Sequence, residues 1–130
     1  MTTAIKIEKT GGPEVLKIEK IELNKLGPEE VFIEHKAIGL NFIDTYHRSG
    51  LYPVELPSGI GTEGSGIVKK IGSKVKDFSI GDRVAYAGTP LGAYSTERNY
   101  PIKNLVKIPK EIGFNIAATL MTKGLTSYYF

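Results

Sequence analysis

Turn signals built on glycine and proline recur along the first hundred residues, and the runs between them alternate apolar and polar residues. Gly11-Gly12-Pro13, Leu26-Gly27-Pro28, Gly72-Ser73, Gly81-Asp82 and Gly88-Thr89-Pro90 are the turns. Between them, Ala4 to Lys9 alternates, Val15 to Leu23 alternates imperfectly, and Glu30 to Ala37 sets Val31, Ile33 and His35 against Phe32, Glu34 and Lys36. Gly66 to Ile71, Arg83 to Ala87, Gly92 to Arg98 and Leu105 to Ile108 complete the set. A period of two reads as strand, because successive side chains point to opposite faces. Many short strands at this spacing predict an antiparallel barrel or sandwich.

Two stretches depart from that pattern. Asn41 to Ser49 places Phe42, Ile43, Tyr46 and His47 at helical spacing, with Asn41 as the cap and Gly50 as the stop. From Gly113, Ile116, Leu120 and Met121 again follow helical spacing, and Gly124 is expected to interrupt before a second helical turn. The strand-helix alternation of a doubly wound nucleotide domain does not occur in these residues. The last six residues, Leu125-Thr126-Ser127-Tyr128-Tyr129-Phe130, are largely apolar, which predicts that something covers them. The expected organisation is a β domain over 1–112 and the start of a helical connection over 113–130.

A chain of 130 residues is long enough for one ordinary core. The absence of cysteine removes disulfides and thiolate metal ligands and suits a cytoplasmic location. No apolar run reaches the roughly 18 residues of a membrane-spanning helix, and the start carries no signal-peptide pattern. The net charge of +3 is dispersed along the chain, which argues against a nucleic-acid surface. Gly59-Ile60-Gly61-Thr62-Glu63-Gly64 matches G-x-G-x-x-G in form only. That fingerprint binds pyrophosphate at a helix opening, whereas Ser65-Gly66-Ile67-Val68 continues here as strand. His35, between charged neighbours, is expected to face solvent; His47 has no partner in the pattern. Asp82 is expected to bond turn amides.

Several blocks follow in a fixed order: Gly11-Gly12-Pro13-Glu14-Val15-Leu16, Lys36 to Asp44, Arg48-Ser49-Gly50-Leu51-Tyr52-Pro53, Leu56 to Gly66, Gly81-Asp82-Arg83-Val84, Leu91-Gly92-Ala93-Tyr94-Ser95, and Lys123 to Tyr129. In order and spacing they resemble the N-terminal half of NADPH:quinone oxidoreductases of the zeta-crystallin type. Those enzymes are a zinc-free branch of the medium-chain dehydrogenase/reductase superfamily. The resemblance covers essentially all 130 residues. It implies a mainly β, GroES-like barrel with short helices, followed in the family by a Rossmann domain.

The resemblance also implies a site. Zinc-bearing relatives carry a cysteine where Asn41 stands and a histidine where Thr62 stands, and Glu63 alone cannot hold a tetrahedral metal. Hydride transfer from NADPH to a quinone-like acceptor, by placement and without metal, is the implied chemistry. Asn41, Phe42, Ile43, Asp44, Thr45 and Tyr46 fall on the cofactor side of the interdomain cleft. The alternative from spacing alone puts Phe42 and Tyr46 in the core of a capped amphipathic helix and makes Asp44 a helix-terminal charge. Tyr46 and Tyr52 are the catalytic candidates, with an exposed loop aromatic as the other reading of Tyr52. Thr62, Thr126 and Tyr129 are further cofactor candidates; a strand-start hydroxyl and interdomain packing are their plainer roles. The 130 residues by themselves are expected to be inactive. A face carrying Phe42, Leu120, Tyr129 and Phe130 is expected to be apolar, which opens an association module, pairing with a separate Rossmann chain, or a decayed or split gene product as alternatives.

Overall fold

The computed structural model describes the backbone of residues 2–129 and the side chains of residues 2–124. The described residues form β1 (Thr2–Ile7), β2 (Lys17–Ile21), β3 (Glu30–Gly39), α1 (Phe42–Ser49), β4 (Ser58–Gly59), β5 (Glu63–Ile71), β6 (Arg83–Ala87), β7 (Glu97–Pro101), β8 (Leu105–Lys107) and α2 (Phe114–Tyr129). They make a three-stranded sheet ordered β2-β1-β4 and a five-stranded sheet ordered β7-β3-β5-β6-β8. Every strand pairing among them is antiparallel. The segment before β7 stitches the sheets together: Ile5 donates to the Tyr94 carbonyl at 2.8 Å and Thr96 to the Thr3 carbonyl at 2.9 Å.

The period-two pattern turns Val31 and Ile33 of β3 inward to meet Val68, Val84, Tyr86 and Tyr100 in the main core. A smaller cluster joins Ile7, Val15 and Ile60 beneath Leu16 and Tyr94. Gly59 closes the two-residue β4, and Glu63 opens β5, so no helix begins in the G-x-G-x-x-G stretch. Asp82 receives the Ser79 amide at 2.8 Å, as a turn carboxylate should.

Four expectations shift. Val15 belongs to a 3-10 turn over Pro13–Val15, and β2 begins only at Lys17. The strand expected at Gly92 to Arg98 runs instead over Glu97–Pro101. Gly92 takes φ 130°, a left-handed value incompatible with a strand, and its N–H is drawn to the Gly61 carbonyl at 3.0 Å. Gly124 lies inside α2, because one glycine costs a helix only about 1 kcal/mol.

His35 is turned inward. Its Nδ1 lies 2.8 Å from the Ser95 carbonyl and its Nε2 2.7 Å from the Tyr86 hydroxyl. Its neighbours Glu34 and Lys36 pair with each other at 2.7 Å, on the more exposed face. Arg98 shares this interior: it donates to the Tyr86 hydroxyl at 3.3 Å and to the Pro90 carbonyl at 2.9 Å, and lies 4.9 Å from the Tyr100 ring centre. Tyr86 and Tyr100 stack at 4.0 Å. A buried guanidinium is tolerated where its N–H groups find acceptors and its faces find rings.

Entry into α2 is fixed from the barrel wall. Arg83 donates to the Pro109 carbonyl at 2.7 Å and the Ile112 carbonyl at 2.8 Å, while lying 4.4 Å from the Phe114 ring centre. Ser65 donates to the Phe114 carbonyl at 2.7 Å. Ala117 and Ala118 are buried, and their small side chains let α2 lie close to β3 and β5.

Candidate functional site

The end of β3 delivers the chain to α1 across Gly39-Leu40-Asn41. The helix opens on a reciprocal cap: the Asp44 amide donates to the Asn41 carbonyl at 3.0 Å, and the Asn41 amide donates to the Asp44 carboxylate at 3.1 Å. It closes at Gly50, whose φ of 88° and bond to the Tyr46 carbonyl at 3.1 Å form a left-handed C-cap. Asp44 near the N-terminus and His47 and Arg48 near the C-terminus complement the helix dipole.

Asp44 is 4% exposed, so it is more than a surface charge at a helix end. Its Oδ2 also accepts the Tyr94 hydroxyl at 2.5 Å, while Oδ1 is buried without a hydrogen-bond partner among the described residues. Burial, together with the adjoining Asp44 carboxylate, pushes the Tyr94 phenol well above its ordinary range. Phe42 is 77% exposed, which removes it from the core and leaves its ring as open apolar surface. Asn41, Phe42, Asp44 and Thr45 line one cavity of about 350 Å³ with apolar walls from Leu16, Leu40 and Ile60. The Thr45 hydroxyl gives its proton to the Phe42 carbonyl at 2.6 Å and so offers a ligand only an acceptor. Ile43 is half-buried.

Tyr46 and Tyr52 are brought together. The Tyr52 amide donates to the Tyr46 carbonyl at 3.2 Å, and the rings meet edge to face at 5.2 Å. Phe42 extends the row to 5.9 Å from Tyr46, and His47 closes it at 6.1 Å from Tyr52. Tyr52 is exposed and Tyr46 half-buried, so this pair borders solvent. His47 is buried, and its Nδ1 has no hydrogen-bond partner among the described residues. Thr62 is buried below the start of β5, where its carbonyl accepts the Gly88 amide at 2.8 Å. No described contact joins its hydroxyl to α1. The side chains of Thr126 and Tyr129 lie outside the described residues.

The sequence pattern does not single out two groups that the fold brings to this site. Glu63 is fully buried, with one carboxylate oxygen accepting the Asn41 side-chain amide at 2.8 Å and the other accepting the Thr122 backbone amide at 3.0 Å. Lys123 reaches back from α2 to the Leu40 carbonyl at 3.1 Å and to Asn41 Oδ1 at 3.4 Å. A charged residue inside the glycine-rich run Thr62-Glu63-Gly64-Ser65-Gly66 was the available signal for the first. Among the described residues no group of three or more His, Asp or Glu side chains is placed to share a metal ion.

A family model described as the alcohol dehydrogenase GroES-like domain matches residues 27–110. The chain belongs to this family. The chain is 52% identical over 130 residues to a quinone oxidoreductase of Pseudomonas aeruginosa, covering 99% of this chain and 40% of that protein. Among solved structures, a quinone oxidoreductase of Pseudomonas syringae superposes with a TM-score of 0.96 at 52% identity, over 99% of this chain and 40% of that one. A quinone oxidoreductase of Escherichia coli, solved in complex with NADPH, gives 0.94 at 51% identity, over 98% and 39%. The chain thus spans about 40% of the length of the relatives it matches. No helix among the described residues is long and apolar enough to cross a membrane.

Proposed function

We propose that these residues supply the acceptor-facing wall of an NADPH-dependent quinone reductase, with residues 113–130 leading from the barrel toward a nucleotide-binding unit. The observation that supports this most directly is the α1 corner, where an ordered amide at Asn41 adjoins the exposed ring of Phe42 and the Tyr46–Tyr52 pair. The reading also draws on the NADPH complex of the Escherichia coli relative.

The residues present fit such a cofactor. Asn41 keeps one amide hydrogen beyond the one given to Glu63, Thr45 keeps an acceptor lone pair, and Phe42 offers a flat apolar face. Thr62, Ile43 and Asp44, together with Thr126 and Tyr129, complete the set of residues proposed for the cofactor side. NADPH, when bound, supplies a hydride. The chain's own task is to hold a planar acceptor and exclude water from it. Tyr46 and Tyr52 offer phenolic O–H groups to a quinone oxygen, whose negative charge grows as the hydride arrives. A quinone is electron-poor already, so placement and hydrogen bonding suffice.

None of the described residues forms a parallel βαβ unit, so pyrophosphate and adenosine have no cradle among them. The test is an NADPH fluorescence titration of the chain followed by addition of 1,4-benzoquinone. Binding no tighter than about millimolar, without turnover, agrees with the proposal. Turnover at ordinary enzymatic rates would show that the barrel alone holds the whole site and would overturn it.

A second reading is favoured by one feature. Leu40, Phe42, Ile116 and Leu120 are all exposed, on α2 and on the entry to α1. Such apolar side chains would let the domain associate with a second copy or with a separate nucleotide-binding chain. A concentration-independent monomer by light scattering argues against the second copy.

A further inference from the structure

We infer that Glu63 is a positioning residue: its buried carboxylate sets the orientation of the Asn41 amide and ties that orientation to the place of α2. The inference rests on the proposed cofactor role of Asn41 and adds what holds it. Glu63 opens β5 and is fully buried, yet no cation forms an ion pair with it among the described residues. A buried carboxylate is costly unless donors satisfy it. Here two N–H groups do so, from opposite sides. Asn41 Nδ2 donates to Oε1 at 2.8 Å, and the Thr122 backbone amide donates to Oε2 at 3.0 Å.

This geometry leaves the Asn41 side chain a single orientation. A carboxylate only accepts, so the NH2 end must face Glu63. The oxygen end faces Lys123 Nζ at 3.4 Å, where a flipped amide would set donor against donor. Asn41 therefore presents one remaining N–H, in a fixed direction, at the corner where Phe42 is exposed. Because the second carboxylate oxygen holds α2, a displacement of that helix at Thr122 is transmitted through Glu63 to Asn41. Gly39 keeps the approach open: a Cβ there would collide with the Ala118 carbonyl of α2 and lie 2.9 Å from Glu63 Oε1.

The experiment reads the side-chain amide directly. In 15N-labelled chain, the Asn41 NH2 should exchange with solvent about tenfold more slowly than that of exposed Asn115. Glu63→Gln can accept at only one of its two positions and turns an NH2 toward the other donor, so Asn41 exchange should rise to near the Asn115 rate. Millimolar NADPH should move the Asn41 and Phe42 resonances in the wild type, and these movements should shrink several-fold in E63Q. Should E63Q fail to fold, the wild-type exchange rate still decides the matter, as does N41D/E63Q, which swaps donor and acceptor and should recover a cooperative melt. An Asn41 amide that exchanges as fast as Asn115 in the wild type overturns the inference. So does one unchanged by E63Q. Slow exchange released by E63Q upholds the clamp even where the chain alone turns over quinone, the outcome that overturns the cofactor reading instead.

Discussion

Lowering the pH should unfold this domain through His35. The ring is turned into the barrel, with Nδ1 at the Ser95 carbonyl and Nε2 at the Tyr86 hydroxyl. A carbonyl only accepts, so the neutral ring carries its proton on Nδ1 and receives the Tyr86 O–H at Nε2. Protonation would place a second N–H against Tyr86, which already accepts from Arg98 at 3.3 Å. Desolvation is the main cause that pulls the imidazole down from 6.5 to about 4; the Ser95 carbonyl opposes it, and the Arg98 charge adds to it. The folded value is depressed, so the unfolded chain binds the proton first as the pH falls. Stability is then fully present above about pH 6.5 and is lost between 6.5 and about 4. At about 1.36 kcal/mol for each tenfold shift in protonation, the loss is on the order of 3 kcal/mol. Urea melts at pH 7, 6, 5 and 4.5, run on the wild type and on His35→Gln, isolate this contribution from the carboxylates. The wild type should lose about 2–3 kcal/mol more than the variant across that range. Parallel curves, or an NMR titration placing His35 above pH 6, would refute the reasoning.

Three further outcomes follow from the geometry. Tyr94→Phe removes the hydroxyl from a buried carboxylate and should cost about 1.5–3 kcal/mol by denaturant melts, whereas a change below about 0.5 kcal/mol would mean that Asp44 finds another donor. Gly39→Ala drives a methyl into the Ala118 carbonyl and should cost about 1–3 kcal/mol, seen as a midpoint lowered by several degrees; an unchanged midpoint would mean that α2 shifts freely. Phe42→Ala, at a ring 77% exposed, should leave the melt within about 0.5 kcal/mol while lowering the chain's tendency to self-associate in light scattering.

The strands were legible because alternation reports burial directly. The same rule held the answer for His35, which shares its face with Val31 and Ile33; the charges beside it belong to the other face and pair with each other. The β7 boundary was harder to read. Glu97-Arg98-Asn99 looks polar, and Arg98 is buried because the Tyr86 and Tyr100 rings and two loop carbonyls, from Pro90 and Leu91, converge on it in a way that only the folded loop before β7 brings about. The cap and stop of α1 are local chemistry, so Asn41 and Gly50 announced them. Whether Phe42 faced the core or the outside was not decided by spacing, since it depends on what the neighbouring elements cover. Glu63 escaped for a similar reason: its two donors come from residues 22 and 59 positions away.

The order in which the strands lie has a consequence for how the domain is made. β3 is flanked by β5 and β7, and the register sets Glu30 opposite Pro101. β1, likewise, meets its bridging partner only at Ser95. At a synthesis rate of about 5–20 residues per second, the interval between those partners is on the order of ten seconds. Val31 and Ile33 sit on a strand with both edges open until β5 is made and one edge open until β7 follows, available to any other nascent or damaged edge nearby. Non-local pairing of this kind also slows refolding into the millisecond-to-second range. Expression yield should therefore respond more to temperature and chaperone supply than the finished domain's stability would suggest.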